Sequence, residues 1–168
     1  MKLTELFLSE LEREAALTRR VLERVPEGRN EWQPHPKSMR LGYLAVLVAT
    51  MPGWIELMVN DPELSFDSPG RNRPQEVNTA NELVSTLEQR VTKSREALRN
   101  TTDEHLLTPW RIRAGGRIIQ EQPRSVFIRD AMFSHWSHHR GQLTVYLRLT
   151  GAAVPALFGP SADEGGGF

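Results

Sequence analysis

The sequence lacks cysteine altogether. Without a thiol, the chain can form no disulfide bond, bind no metal through a thiolate and use no cysteine nucleophile. An excess of charge of one sign is also missing, because 21 basic residues balance 21 acidic residues. Nucleic-acid binding requires a surplus of Lys and Arg on one surface. The composition therefore argues against nucleic acid as a partner.

Long apolar runs are absent too. No window of about eighteen residues is apolar throughout, which is the length that a membrane-spanning helix requires. The opening residues, MKLTELFLSELERE, also lack the long apolar stretch of a signal peptide. We therefore expect no membrane partner and a cytoplasmic location.

The composition that remains is ordinary for a globular protein, with 39% hydrophobic and 25% charged residues in a chain of 168. A chain of this length can bury a core of its own. We expect residues 1–168 to form one domain, with an irregular tail from about residue 151, where Pro and Gly are frequent.

Apolar residues recur at helical spacing in four segments. They predict helices over about residues 2–25, 39–59, 79–99 and 123–149. Ser38 and either Asn78 or Thr79 are candidate N-caps, and Pro52–Gly53 should kink or split the second helix. Residues 60–76 read as a surface connection. The Gly115–Gly116 pair predicts a small hairpin or irregular excursion before the last helix.

These segments together predict an all-α fold, a four-helix bundle with that small excursion. Tryptophan positions add detail to this prediction. We expect Trp54 and Trp136 to belong to the core or to a subunit interface. Trp32 and Trp110 fall in predicted loops, where they could rim an opening.

A polar track interrupts the apolar stripe of the last helix. His135 and His139 lie one turn apart on the face that also carries Met132 and Leu143, and Gln142 continues the track. Two imidazoles at this spacing can bind one metal ion. Alternatively, they are core histidines paired with carboxylates or carbonyls. His138 and the arginines Arg129 and Arg140 point away from this face.

Carboxylates interrupt the stripe of the first helix in the same way. Glu10 and Glu14 fall inside it, beside Thr18. A buried carboxylate needs a partner or water, because burying it unpaired costs several kcal/mol. Glu14 could be a partner of a histidine, a metal ligand or a general base. In the alternative interpretation, both carboxylates reach outward to solvent.

Three segments resemble one family over nearly the whole chain. They are EREAALTRRVLERVPEGRNEWQPHPKSM, LGYLAVLVATMPGWIELM and HWSHHRGQLTVYLRLTGAAVPALFGPSADE. The last closely resembles the C-terminal signature of the DinB (DNA-damage-inducible) superfamily. The resemblance implies a four-helix bundle, often a homodimer, with a divalent metal such as zinc or nickel held by three histidines. Two of these match His135 and His139, whereas the third position, on the second helix, is Leu47.

Some relatives resemble enzymes that use a metal to activate a low-molecular-weight thiol. The first hypothesis is therefore a metal-dependent thiol S-transferase-type enzyme with His135 and His139 as ligands and a small molecule or thiol as substrate. The second is a metal-free protein that binds a small molecule in a pocket lined by Leu47, Trp54, Tyr146 and the histidine pair. The third is a dimeric structural protein.

Overall fold

The structure is a computed structural model that describes residues 2–67 and 79–165 of the chain. Its elements follow one another in this order: α1 (Leu3–Leu22), α2 (Leu41–Thr50), a 3-10 turn (Met51–Gly53), α3 (Trp54–Asn60), β1 (Glu63–Ser65), α4 (Ala80–Arg99), α5 (Asp103–Leu106), β2 (Pro109–Ala114), β3 (Arg117–Pro123), α6 (Arg124–Phe127), a π-helical segment (Ile128–Ser134) and α7 (His135–Leu149).

Four helical rods pack around one apolar core. Two are the uninterrupted helices α1 and α4, and the others are the broken pair α2–α3 and the segmented run from α6 to α7. α1 packs against α2, α4 and α7, while α4 also packs against α2 and α3. Each rod contributes to the core a leucine that is at most 2% exposed. These four residues are Leu11, Leu44, Leu87 and Leu143. The predicted four-helix bundle is confirmed.

Of the two predicted helix N-caps, one is confirmed and one is wrong. Thr79 accepts a hydrogen bond from the backbone of Glu82 at 3.2 Å, and the Glu82 carboxylate accepts one from the backbone of Thr79 at 3.0 Å. This reciprocal pair is a capping box, whereas Asn78 lies outside the described residues. The prediction for Ser38 was wrong, because Arg40 precedes α2 as its N-cap. The Ser38 backbone instead closes a turn onto His35.

The second rod breaks where the sequence predicts it. Pro52 has no N–H to donate to the carbonyl of Val48, one helical turn before it. The indole N–H of Trp136, on α7, donates to that carbonyl instead, at 2.8 Å. The Ser94 hydroxyl, on α4, donates to the carbonyl of Pro52 at 2.6 Å. Neighbouring rods therefore supply the donor that Val48 loses and a further donor to Pro52 itself.

The far end of α3 is held by side chains as well. The Arg124 guanidinium donates to the carbonyls of Met58 and Asp61. The indole N–H of Trp110 donates to the Asp61 carbonyl at 3.0 Å. A cation at a helix C-terminus also compensates the helix dipole. Our prediction of a loop position for Trp110 was wrong: it lies on β2 and is fully buried.

A small sheet precedes the last rod, in the strand order β1-β2-β3. The predicted hairpin is confirmed as the antiparallel pair of β2 and β3, and both turn glycines have positive φ, 57° at Gly115 and 69° at Gly116. Such a turn suits two adjacent glycines. The strand β1, parallel to β2, was not predicted. The Asp67 carboxylate after it accepts both glycine N–H groups, and this lowers its pKa.

The last rod consists of three consecutive helical segments rather than one regular α-helix. It starts with α6, passes through the π-helical segment and ends in α7, at the predicted Leu149. A π-helical turn holds one extra residue per turn and often lies at a functional site. Here it ends immediately before His135.

The chain after α7 has no helix or strand over residues 151–165, yet it is attached to the bundle. The Arg148 guanidinium binds the Asp163 carboxylate, with its shorter contact at 2.5 Å. Arg20, on α1, and Arg24, just after it, bind the Glu164 carboxylate at 2.6 and 2.8 Å. The tail is therefore fixed across α1 and α7.

One helical segment, Leu41–Asn60, is long and apolar enough to cross a membrane by length and composition alone. It contains the break at Pro52, and 56% of its apolar window is buried inside the bundle. The inner helix of a bundle has these same properties, because it is covered by neighbours on most sides.

We predict that Trp136→Phe lowers the free energy of unfolding, because the Val48 carbonyl loses its buried donor. The loss should exceed that of the control Trp32→Phe by about 1–3 kcal/mol, the cost of an unsatisfied buried polar group. Trp32 contacts Tyr146 edge to face and is only half-buried. Urea unfolding measures both values, and equal losses would show that the hydrogen bond contributes nothing.

Candidate functional site

The two histidines predicted from the sequence meet in the structure. The Nε2 atoms of His135 and His139 lie 2.7 Å apart, and their ring centroids are separated by 4.4 Å. His139 is 5% exposed, whereas His135 is half-buried. The structure therefore places one ring inside the bundle and the other towards its edge.

Gln142 determines which proton each ring carries. Its Oε1 lies 2.8 Å from Nδ1 of His139, so that this nitrogen donates a proton and the Nε2 of His139 keeps a free lone pair. The short contact between the two rings then requires His135 to donate from its own Nε2. The side chain of Gln142 thus orients His139, as an outer partner orients a metal-binding histidine.

The surroundings favour the neutral form of His139. Burial lowers its pKa most, since a charged imidazole loses solvation inside the bundle. The neighbouring His135 and His138 lower the pKa further, while the hydrogen bond to Gln142 acts in the opposite direction. At neutral pH the ring is therefore uncharged, and its Nε2 lone pair accepts the hydrogen bond from His135.

A three-ligand metal site does not fit the residues that are present. Within residues 2–67 and 79–165, no three His, Asp or Glu side chains lie together so that they could hold a metal ion. A tetrahedral zinc would also separate two ligand nitrogens by about 3.3 Å, so the two rings would have to move apart by about 0.6 Å. A catalytic zinc normally has three protein ligands, and this site offers two.

Leu47 occupies the position of the third histidine in the resemblance. It is half-buried and packs against the core. Its neighbour Val48 receives the hydrogen bond of Trp136, which adjoins His135. Leu47 therefore lies at the same level of the bundle as the histidine pair and offers no ligand atom there.

The remaining histidines are engaged elsewhere. Nε2 of His105 lies 2.9 Å from the Val59 carbonyl. Nδ1 of the exposed His35 accepts a hydrogen bond from the Lys37 backbone at 3.1 Å. His138 is exposed and contacts only the edge of the pair, with its ring centroid 5.1 Å from that of His139.

A cavity of about 700 Å³ begins at His135 and extends between α3, α4 and the small sheet. Trp54 forms part of its wall, with its ring centroid 5.7 Å from that of His135. Most of its lining is apolar, and the full set is Gly53, Trp54, Glu56, Leu57, Met58, Asn60, Asp61, Leu64, Phe66, Arg90, Trp110, Ile112, Ala131 and His135.

Only part of the predicted pocket coincides with this cavity. Trp54 and His135 line it, whereas Leu47, Tyr146 and His139 do not. The Tyr146 hydroxyl donates to the Met39 carbonyl at 3.1 Å, and its ring meets Trp32. Tyr146 therefore fixes the loop before α2 in place.

Glu14 is buried and has arginine partners. Its Oε2 accepts a hydrogen bond from Arg140 at 2.6 Å, and its Oε1 accepts one from Arg13 at 3.2 Å. Arg140 also donates to the Glu14 carbonyl and to Thr18, both at 3.2 Å. The placement of Arg140 away from the inner face was wrong, because this side chain is only 1% exposed. Glu10 also meets an arginine, Arg129 at 3.4 Å.

The cavity also contains residues that sequence reasoning missed. Glu56 and Arg90 come from two helices of the bundle, and Leu64 and Ile112 come from paired strands. Their apolar and charged positions follow ordinary helix and strand patterns. Only the packing of distant segments brings them together, so no local signal marks them.

The structure is thus a helical bundle with a histidine pair at the edge of a cavity. The chain matches the DinB family over residues 1–165, and it belongs to that family. It is 26% identical over 161 residues to an uncharacterized protein, YrdA, of Bacillus subtilis (strain 168), a match that covers 94% of this chain and 89% of that protein.

Two solved structures share the fold. A DinB-like protein from Bacillus cereus ATCC 10987 superposes with a TM-score of 0.70 at 24% identity, covering 92% of this chain and 97% of the other. A DinB-like protein, YjoA, from Bacillus subtilis gives a TM-score of 0.68 at 20% identity, covering 92% and 99%. These likenesses establish the mostly helical fold with a small sheet before the last helix. Some members of the family bind metals.

We predict that Arg140→Met costs about 3–5 kcal/mol of unfolding free energy, because it leaves the buried Glu14 carboxylate without its main counter-charge. Adding Glu14→Leu should recover most of this loss, since an apolar pair of similar size needs no counter-charge. Urea unfolding of the single and double variants measures the difference. A double variant no more stable than Arg140→Met would contradict this account of the pair.

We predict that stability falls with acidification because of His139. Its folded pKa lies below the unfolded value of about 6.5, so the unfolded chain binds the proton more readily. The stabilisation is present above about pH 6.5 and is lost as the pH falls towards the folded pKa. His139→Gln should flatten unfolding free energy against pH in this range. The exposed control His35→Gln should not, and identical slopes in all three proteins would contradict the prediction.

Proposed function

We propose that this protein binds a small organic molecule in the cavity between α3, α4 and the sheet, without requiring a metal. The observation that carries the proposal is the cavity itself, about 700 Å³ in volume, with the histidine pair at one end. Ligand pockets typically have volumes of about 300–1,000 Å³, with apolar walls and a few oriented polar groups.

The aromatic walls support this proposal. Trp54 is half-buried on α3, and Trp110 is fully buried on β2. Trp110 is also fixed by its hydrogen bond to Asp61 and by edge-to-face packing on Phe127 at 5.0 Å. Rigid aromatic side chains lose little entropy on binding and offer a large contact area. A ligand with an apolar body therefore suits this cavity.

The histidine pair adds a group that can exchange a proton with the ligand. His135 lines the cavity and hydrogen-bonds to His139, which Gln142 in turn orients. Such a relay resembles the arrangement of a general base held by a second group. With Nε2 of His135 engaged by His139, its Nδ1 has the lone pair that can accept a hydrogen bond from a polar atom of the ligand, with no ion present.

A metal-dependent thiol transferase is the second candidate. The observation that favours it is the convergence of two histidine nitrogens with Gln142 behind one of them, as in the inner and outer ligands of metal sites. The donor set counts against it, because Leu47 provides no third ligand. We therefore rank binding without a metal first.

The predicted homodimer would place apolar side chains of α2 and α7 between two copies. Tyr43, Val145 and Leu149 are exposed on these helices, by 51%, 56% and 57%. The homodimer, the cytoplasmic location and the lack of nucleic-acid and membrane partners stay predictions.

We predict that the uncharged dye N-phenyl-1-naphthylamine binds the protein in excess chelator, with a rise in dye fluorescence. Trp54→Ala should weaken binding by about three- to tenfold, because one aromatic contact contributes about 0.5–1.5 kcal/mol. Trp32→Ala, which changes an aromatic residue outside the cavity, is the matched control. Failure of the native protein to bind, or equal losses in both variants, would contradict the proposal.

A further inference from the structure

Arg90 lines the cavity and has no ion-pair partner among the residues that the structure describes. It lies on α4, is half-buried and lines the space between Trp54 and the sheet. It forms no hydrogen bond or ion pair within the described part of the chain, although most arginines of α1 and α4 have carboxylate partners. Partial burial of an unpaired guanidinium is unfavourable, so its position calls for a ligand.

Gly53 determines where the guanidinium of Arg90 lies. The stem of Arg90 crosses the backbone of Gly53, and a Cβ at that position would be 2.9 Å from the Arg90 Cδ. No such contact can persist without movement of the stem. The glycine in the helix break therefore leaves room for the stem of Arg90, whose side chain lines the cavity.

Glu56 brings the opposite charge to the same cavity. It lies on the first turn of α3, half-buried, and its backbone N–H is bonded to Ser94 at 3.3 Å. Its carboxylate has no partner among the residues that the structure describes, and it forms no ion pair with Arg90. Glu56 and Arg90, on two helices that pack together, thus line the same cavity without forming an ion pair with each other.

Of the other polar residues of the cavity, Asn60 is exposed, whereas His135 and Asp61 are engaged. His135 bonds to His139, and Asp61 has interactions of its own and gives its carbonyl to Trp110 and Arg124. A purely anionic ligand would meet Glu56 and Asp61, and a purely cationic one would meet Arg90. Only a ligand with both charges complements the whole lining.

We propose that the cavity binds a small zwitterion with an apolar group, of the α-amino-acid type. Its carboxylate pairs with Arg90, whose planar fork suits a carboxylate. Its ammonium group pairs with Glu56, and its apolar group lies against Trp54. This inference rests on the proposed function, because it names the class of ligand for the same cavity.

Competition against the uncharged dye tests this proposal with three probes that share one phenylethyl skeleton and differ in their charged groups. L-phenylalanine carries both charges, phenethylamine lacks the carboxylate and 3-phenylpropionate lacks the ammonium group. L-phenylalanine should displace the dye at about tenfold lower concentration than either, since each charge-assisted contact contributes on this scale. Equal displacement by phenethylamine and L-phenylalanine would overturn the proposal.

Variants that each remove one charge identify the residues that bind the carboxylate and the ammonium group of the ligand. Arg90→Gln should abolish the preference for L-phenylalanine over phenethylamine, and Glu56→Gln the preference over 3-phenylpropionate. Gly53→Ala should weaken the first preference while keeping the arginine. Arg99→Gln, an exposed arginine of the same helix, is the control and should change neither. An unchanged preference in Arg90→Gln would overturn the assignment.

The dye separates the two possible failures. If the native protein does not bind the uncharged dye, the cavity is not a binding site and the proposed function fails with the inference. If the dye binds and Trp54→Ala weakens it, but the three probes compete equally, only the zwitterion proposal fails. Retained dye binding by Arg90→Gln and Glu56→Gln shows that both variants are folded.

Discussion

The structure depends on the break that Pro52 makes in the second rod. A proline removes one hydrogen bond of the helix. A carbonyl left without a donor in an apolar core would lower the stability of the fold. Trp136 and Ser94 donate to the carbonyls at the break, and Arg124 binds those at the end of α3. These contacts hold α3 as a short helix after the break, and its residues line the cavity beside the sheet.

That space and the histidine pair are consequences of the same arrangement. Trp136 adjoins His135, so the hydrogen bond that repairs the break also fixes where the pair begins. The C-terminal run HWSHHRGQ, which contains the histidine pair, also has a structural role. Arg140 pairs with Glu14 under the Phe158 ring, 5.5 Å from its guanidinium carbon. Part of the family signature therefore holds the bundle together rather than forming the site.

The sequence was a good guide wherever one helix or turn determines the outcome. Helical spacing predicted the four rods, and the Pro52 break and the Gly115–Gly116 turn follow from backbone chemistry. The buried position of Arg140 was missed because α7 is covered by both α1 and α2, so its buried face is wider than one stripe. Most of the cavity lining was missed because residues such as Arg90 and Ile112 are brought together only by packing.

Metal content decides most directly between a cavity protein and a three-histidine metal site. Untagged native protein and the Leu47→His variant would be purified without chelator and compared by inductively coupled plasma mass spectrometry. Two histidines hold a metal weakly, so we predict far less than stoichiometric metal in the native chain and a clear gain in Leu47→His. Near-stoichiometric zinc or nickel in the native chain would contradict this account.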